Sequence, residues 1–149
     1  MQMEKISELL GRVHRQCDEQ FSLAENAAGK GEILECAQHF VAFRDAMVTH
    51  LSVEEELLFP AFERSTGVDS GPTRVMRAEH HQMRALMAEM VRAADNGERD
   101  RFLDLAEMLV IFLQQHNIKE ENVLYPMLDE VLQADAGTVA EATRLSASG

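Results

Sequence analysis

The stretch HLSVEEELLFP, residues 50–60, returns 66 residues later as HNIKEENVLYP, residues 116–126. His50 aligns with His116, Glu54 with Glu120, Glu55 with Glu121, Leu58 with Leu124, Phe59 with Tyr125, and Pro60 with Pro126. His14 obeys the same offset, since its partner is His80. The chain therefore reads as two similar halves, each bringing one early histidine and one later His-x-x-x-Glu. Residues i and i+4 of a helix share a face one turn apart, so His50 with Glu54, and His116 with Glu120, can aim at one small volume. Two such halves facing each other place four imidazoles and two carboxylates at one level.

Working outward, Ile33, Cys36, Phe40, Phe43, Met47, His50, Glu54 and Leu57 alternate steps of three and four, the stripe of an amphipathic helix. His50 and Glu54 thus stand where the pattern calls for apolar core. Pro60 is expected to kink or end this helix. A first helix is expected over about residues 3–28, striped by Ile6, Leu10, Val13, Cys17, Phe21 and Ala24, with Gly29 and Gly31 as stop and restart. Residues 65–72, STGVDSGP, carry the strongest loop signal and separate the halves. A third helix runs from about Thr73 to Ala94 with Met76, His80, Met83, Met87 and Met90 on one face, and Asn96-Gly97 ends it. The fourth spans roughly 99–132, with Phe102, Leu105, Leu109, Phe112, His116, Glu120, Val123 and Met127 inward. His80 precedes Asn96 by 16 residues and His116 follows Gly97 by 19, or about 24 and 28 Å of helix, which brings them to nearly equal height on antiparallel neighbours. The expected fold is all-α, an up-down-up-down four-helix bundle over residues 1–132 with an internal two-helix duplication. Residues 133–149 form a tail rich in small residues, in which Thr138 and Glu141 could be the capping box of one short helix.

Composition agrees. A chain of 149 residues is one domain with room for a core, and 3 prolines with 5% aromatics suit helices better than sheets. A net charge of -12 argues against nucleic acid or anionic membrane as partner. Two cysteines make no disulfide framework. Cys17 lies a turn from His14, whereas Cys36 lies about 21 Å along its helix from His50, too far for the sulfurs to bridge. The opening MQMEKIS has no apolar signal core, and no apolar run approaches a membrane span. The expected location is the reducing cytoplasm.

With 6 His and 26 acidic residues among 149, about one His-x-x-x-acid pair arises by chance. Three occur, counting His14 with Asp18, and the weight lies in their repetition at a single offset. Four His and two Glu left unpaired in a bundle core would each cost roughly 1–3 kcal/mol or more, and metal ions remove that penalty. Two ions fit the ligand count: His14 with His50, His80 with His116, and Glu54 and Glu120 bridging. Mixed imidazole and carboxylate donors suit iron best, with manganese or zinc as alternatives. The Glu-x-x-His of ferritin-like proteins, zinc-type Cys pairs, His-Glu-x-x-His and phosphate-binding Gly motifs are all absent. The competing reading is a metal-free bundle with structural histidines. His81 is expected at the surface and His39 in the core. Asp18 has Arg84 as its counterpart and is at most an outer ligand. Glu55, Glu56 and Glu121 read as a solvated acidic face, although Glu55 or Glu121 could hydrogen-bond a ligand. Glu79 could line an access path, Cys17 reads as structural, and Tyr125 is expected on the opposite side of its helix from His116.

These residues resemble the hemerythrin family, in its HHE cation-binding branch, to about residue 132. The parts that match are His14, His50-x-x-x-Glu54 with its trailing Leu-Phe-Pro, Ala78-Glu79-His80, and His116-x-x-x-Glu120 with Leu-Tyr-Pro. The resemblance implies a non-haem di-iron centre bridged by two carboxylates and an oxo or hydroxo oxygen. Oxygen-carrying hemerythrins have a fifth histidine a turn before the third-helix ligand; here that position is Met76, and its first-half partner is Leu10. The four-His pattern resembles di-iron proteins that repair iron–sulfur centres under nitrosative stress, and the iron- and oxygen-sensing domain of an F-box protein. The resemblance thus implies binding of, or reaction with, O2, NO or peroxide in a stress response or iron-centre repair. The alternative is an iron or oxygen sensor without turnover. Implied partners are a small diatomic or peroxide ligand and an unspecified electron donor, without nucleic acid or membrane, for a monomer or homodimer.

Overall fold

The computed structural model describes residues 4–147. Its elements in order are α1 (Ile6–Gly29), α2 (Ile33–Val53), a π-helical turn (Glu54–Leu58), α3 (Phe59–Thr66), α4 (Pro72–Asp95), α5 (Arg99–Lys119), a second π-helical turn (Glu120–Leu124), α6 (Tyr125–Val131) and α7 (Ala136–Ala147). Among the described residues there is no strand. Because each π turn joins the helices on either side, the chain forms four long rods packed up-down-up-down. The rod of α1 neighbours those of α2 and α5–α6, and α4 packs between α2 and α5.

The duplication reaches the turns. Gly31 and Gly97, 66 positions apart, both take the left-handed conformation, at φ 79° and 71°, which costs glycine nothing for want of a Cβ. Each lets the next residue's N–H reach back into the helix, Glu32 to Ala27 O at 2.9 Å and Glu98 to Ala93 O at 2.8 Å. The same cap therefore closes both hairpins.

Pro60 does not end its helix. The π turn before it lets the Phe59 N–H reach the carbonyl of Glu54, five residues back, and Pro60 falls in the first turn of α3, where a missing N–H is tolerated. The second half repeats this, with the Tyr125 N–H on the Glu120 carbonyl. A proline in that register leaves the carbonyl of Glu55 without its helical donor, and Arg77 Nη1 supplies one at 3.2 Å.

Each π turn also moves the inward stripe on by one residue. Leu58 and Phe59 are buried rather than Leu57, and Leu124, Tyr125 and Leu128 rather than Val123 and Met127, which are 53% and 36% exposed. His39 is only half-buried, outside the core that the unbroken stripe assigned to it; His81 is exposed as expected. The last helix starts at Ala136 and is capped by Asp135, whose carboxylate accepts from the N–H and hydroxyl of Thr138; Thr138 is not itself the cap. Ala142 seats α7 on the bundle.

Two apolar clusters fill the interior. One gathers Phe21, Phe40, Phe43 and Phe102 with Met83, Met87 and Met90 toward the hairpin turns. The other joins Leu10, Leu58, Phe59, Phe62, Met76, Leu124 and Leu128 at the opposite end. The polar residues that interrupt the sequence stripes lie between them.

Candidate metal centre

His14 of α1, His50 of α2, His80 of α4, His116 of α5, and Glu54 and Glu120 at the starts of the two π turns are all 3% exposed or less. Their reach explains the convergence. Each histidine sits on a straight helix facing the axis, and each glutamate one turn later is carried by backbone widened to the π form.

The imidazoles meet in pairs. His14 and His50 ring centroids are 4.9 Å apart, and those of His80 and His116 are 5.1 Å apart. His14 Nε2 lies 3.1 Å from His50 Nε2 and 3.1 Å from Glu120 Oε1. His80 Nε2 is 3.1 Å from Glu54 Oε1 and 4.0 Å from Glu120 Oε2. His116 Nε2 is 3.2 Å from Glu120 Oε1. Two donor sets result: Glu54, His80, His116 and Glu120 in one, His14, His50 and Glu120 in the other, each with its atoms within 4.8 Å of one another. Donors bound at ~2.0–2.2 Å to one ion lie at most ~4.4 Å apart, so nearly every contact above is within the span of a single coordination shell. Glu120 belongs to both sets.

The outer ring nitrogens fix the proton positions. His80 Nδ1 donates to Glu55 Oε2 at 2.7 Å, His116 Nδ1 to Glu79 Oε1 at 2.8 Å, and His14 Nδ1 reaches Glu121 Oε2 at 3.3 Å. A carboxylate only accepts, so these Nδ1 atoms carry the hydrogen and each Nε2 turns a lone pair inward. The outer acids are held in turn, Glu55 by Arg84 at 2.6 Å and Glu79 by Lys119. Glu79 is thus a support for His116 rather than the wall of an access path, and Glu55 and Glu121 are not merely solvated; Glu56 is exposed. Asp18 is exposed and belongs to neither donor set. His50 Nδ1 has no hydrogen-bond partner among the described residues.

Lone pairs aimed at carboxylate oxygens repel unless something positive lies between them. Glu54 Oε1, Glu120 Oε2, His80 Nε2 and His116 Nε2 are buried without a hydrogen-bond partner. Burial pushes Glu54 well above the ordinary carboxylate range, and the charge on Glu120 pushes the same way. Glu120 is also raised by burial, but the close approach of His116, His14 and Glu54 outweighs that and holds it well below. The two acids are thus driven in opposite directions, as two carboxyls crowded into one buried site are. Burial lowers His50 to about 3 and His80 to about 4, so both are neutral near pH 7. His116 is also lowered by burial, yet Glu120 and Glu79 more than offset it and leave it raised. Four ligand atoms without hydrogen-bond partners, two imidazole nitrogens and two carboxylate oxygens in one buried layer, form a set that fits divalent cations.

Tyr125 is the residue that helix geometry misplaced. Nine α-helical steps from His116 would set it on the far side, but the π turn between them swings it to the axis. Its hydroxyl lies 2.7 Å from Glu54 Oε2, 2.8 Å from Glu120 Oε1 and 2.9 Å from His14 Nε2, so its one hydrogen is within reach of either carboxylate. The repeat carries a hint of this, because the partner Phe59 fills the equivalent place and stacks on His80 at 5.6 Å.

No helix among the described residues is long and apolar enough to cross a membrane. No curated protein and no solved structure shows significant similarity to the chain. A family model for the hemerythrin HHE cation binding domain matches residues 5–128, which include all six inward His and Glu side chains. The chain belongs to the hemerythrin HHE cation-binding domain family.

Proposed function

We propose that the chain is a non-haem di-iron protein that binds or reacts with O2, NO or peroxide, in a stress response or in repair of iron centres. The observation that carries this is the sharing of Glu120 between two histidine pairs, in a layer where His80 Nε2, His116 Nε2, Glu54 Oε1 and Glu120 Oε2 lack hydrogen-bond partners. His14 and His50 would hold one ion and His80 and His116 the other, with Glu120 and Glu54 between them. Imidazole and carboxylate together favour iron over softer-ligand metals, with manganese or zinc as alternatives. Bound iron would supply Lewis acidity and an electron source.

The protein's own residues set what reaches the centre. Met76 and Leu10 stand one turn before His80 and His14, and both are buried, so neither adds an imidazole, and a bound ion would have room for a small ligand. Phe59, Leu58 and Leu124 close the layer against water on that side. Tyr125 sets a hydroxyl between the two inner carboxylates, where it can donate to a bound oxygen or nitrogen atom. The outer acids Glu55, Glu79 and Glu121 orient His80, His116 and His14.

The test is rapid mixing of anaerobic, Fe(II)-loaded protein with O2, NO and peroxide in turn. A ligand-specific absorption change with at least one is expected; none with any of the three contradicts the proposal.

A second reading, an iron or oxygen sensor without turnover, draws on the position of the layer between the two apolar clusters. A ligand that binds only the folded chain stabilises it by mass action, so metal occupancy would tighten the whole bundle for a partner to detect. A large metal-dependent rise in melting temperature without consumption of O2, NO or peroxide favours this reading.

A further inference from the structure

The two halves differ behind the histidines. Glu79, one residue before His80 on α4, takes the Nδ1 of His116. Its partner 66 positions earlier, one residue before His14 on α1, is Val13. The histidine that faces this position is His50, the partner of His116. His50 is 3% exposed, its Nε2 faces the centre, and its Nδ1 has no hydrogen-bond partner.

Where the second half has a carboxylate, the first half has space. A cavity of about 260 Å³ is lined by Val13, Cys17, Gln20, Thr49, His50 and Ser146. Two more of these residues hold buried polar atoms without a partner, Gln20 Oε1 and Ser146 Oγ. The three residues that carry these unmet polar atoms, from α1, α2 and α7, thus line one hole. A water claims ~30 Å³ in the liquid, so the space admits several waters or one molecule of a few heavy atoms.

We propose that this cavity binds a small monocarboxylate, which supplies from solution the outer acid that Val13 cannot. One oxygen accepts from His50 Nδ1, as Glu79 accepts from His116. The other accepts from the Ser146 hydroxyl and from the Gln20 amide, turned so that its NH2 faces the ligand; the two ends of an amide have the same shape, so the turn needs no extra room. The short alkyl end lies against Val13 and Cys17. Glu19, exposed among the lining residues, opposes a second negative charge, which selects a monoanion over phosphate. Since Ser146 belongs to α7, the bound acid also ties the C-terminal helix to His50. The inference rests on the metal reading in one respect: a cation on Nε2 obliges Nδ1 to carry the hydrogen that the ligand accepts.

The test is thermal melting of zinc-loaded full-length protein against sodium acetate, at fixed pH and ionic strength with chloride as the balancing anion. A saturating rise of ~3 °C is expected for the unaltered chain. Val13→Glu should melt higher without acetate and lose the response, and Ser146→Ala should weaken it. In the same samples the His50 Nδ1–H proton resonance should move with acetate in the unaltered chain and stay fixed in Val13→Glu. Absence of a saturable response in the unaltered chain overturns the proposal. So does an undiminished response in both variants, which would place acetate elsewhere, such as on the cations. Metal content, measured first on each sample, separates the two proposals. A chain that takes up no cation contradicts the metal reading, while an acetate response that Val13→Glu abolishes would still uphold the cavity.

Discussion

The hydroxyl of Tyr125 donates to Glu54 Oε2 at 2.7 Å, joining the π turn of one half to the acid of the other. With Glu120 Oε1 at 2.8 Å as well, this one phenol touches both of the carboxylates that burial forces together. Tyr125→Phe removes the hydroxyl and keeps the packing of the ring. The metal-free protein should lose about 1–3 kcal/mol, measured by urea unfolding. The metal-loaded protein should lose less, because cations then take the carboxylate oxygens.

Outer acids should matter in proportion to their geometry. Glu79 lies 2.8 Å from His116 Nδ1 and Glu55 lies 2.7 Å from His80 Nδ1. Glu79→Gln or Glu55→Gln should weaken metal binding ~10–100-fold in competition with a chelator. Glu121 is 3.3 Å from His14 Nδ1 and its side chain is 45% exposed. Glu121→Gln should therefore cost several-fold less, since water can replace a long, solvated contact.

Much of this architecture is legible in the sequence. The single 66-residue offset assigns four rods and aligns His14, His50, Glu54, His80, His116 and Glu120, and the structure brings these six together. What the sequence conceals comes from one device. A π turn adds a residue without a composition signal of its own, so an unbroken 3.6-residue stripe points Leu57, Val123 and Met127 inward and Tyr125 outward. The structure turns Val123 and Met127 outward and Tyr125 inward and leaves Leu57 half-buried, at the turns that come after His50 and His116. Contacts between rods are invisible for a different reason: the pairing of Glu79 with His116 depends on which helix faces which, and no periodicity within one helix reports that.

The thiols offer a pH test away from the acids. Burial raises Cys17 to about 12 and Cys36 to about 11, against 9.0 for an ordinary thiol. The folded values exceed the unfolded one, so this contribution to stability is whole below pH 9 and is lost as pH climbs through the folded values. At pH 8, iodoacetamide should leave both cysteines of the native protein unmodified while alkylating both in denaturant, as mass spectrometry would show. Rapid native labelling of Cys17 would mean that the cavity beside His50 exposes a reactive thiolate.

Fold and centre should be separable. Phe40 is fully buried and contacts Phe21, Phe43 and Phe102 at centroid distances of 6.3, 5.4 and 5.3 Å, in the cluster nearer the hairpin turns. Phe40→Ala should cost ~3–5 kcal/mol in chemical denaturation. The fraction that remains folded should bind as much metal per chain as the unaltered protein.

The most direct measurement is metal content by elemental analysis of protein purified natively from iron-replete cells, for the unaltered chain and for Glu120→Leu. Because both donor sets share Glu120, on the order of two ions per chain, mainly iron, should fall to a small fraction in the variant, with a lower melting temperature. An unaltered chain that is folded without stoichiometric metal, and a Glu120→Leu variant that is equally or more stable, would contradict a metal centre at this layer.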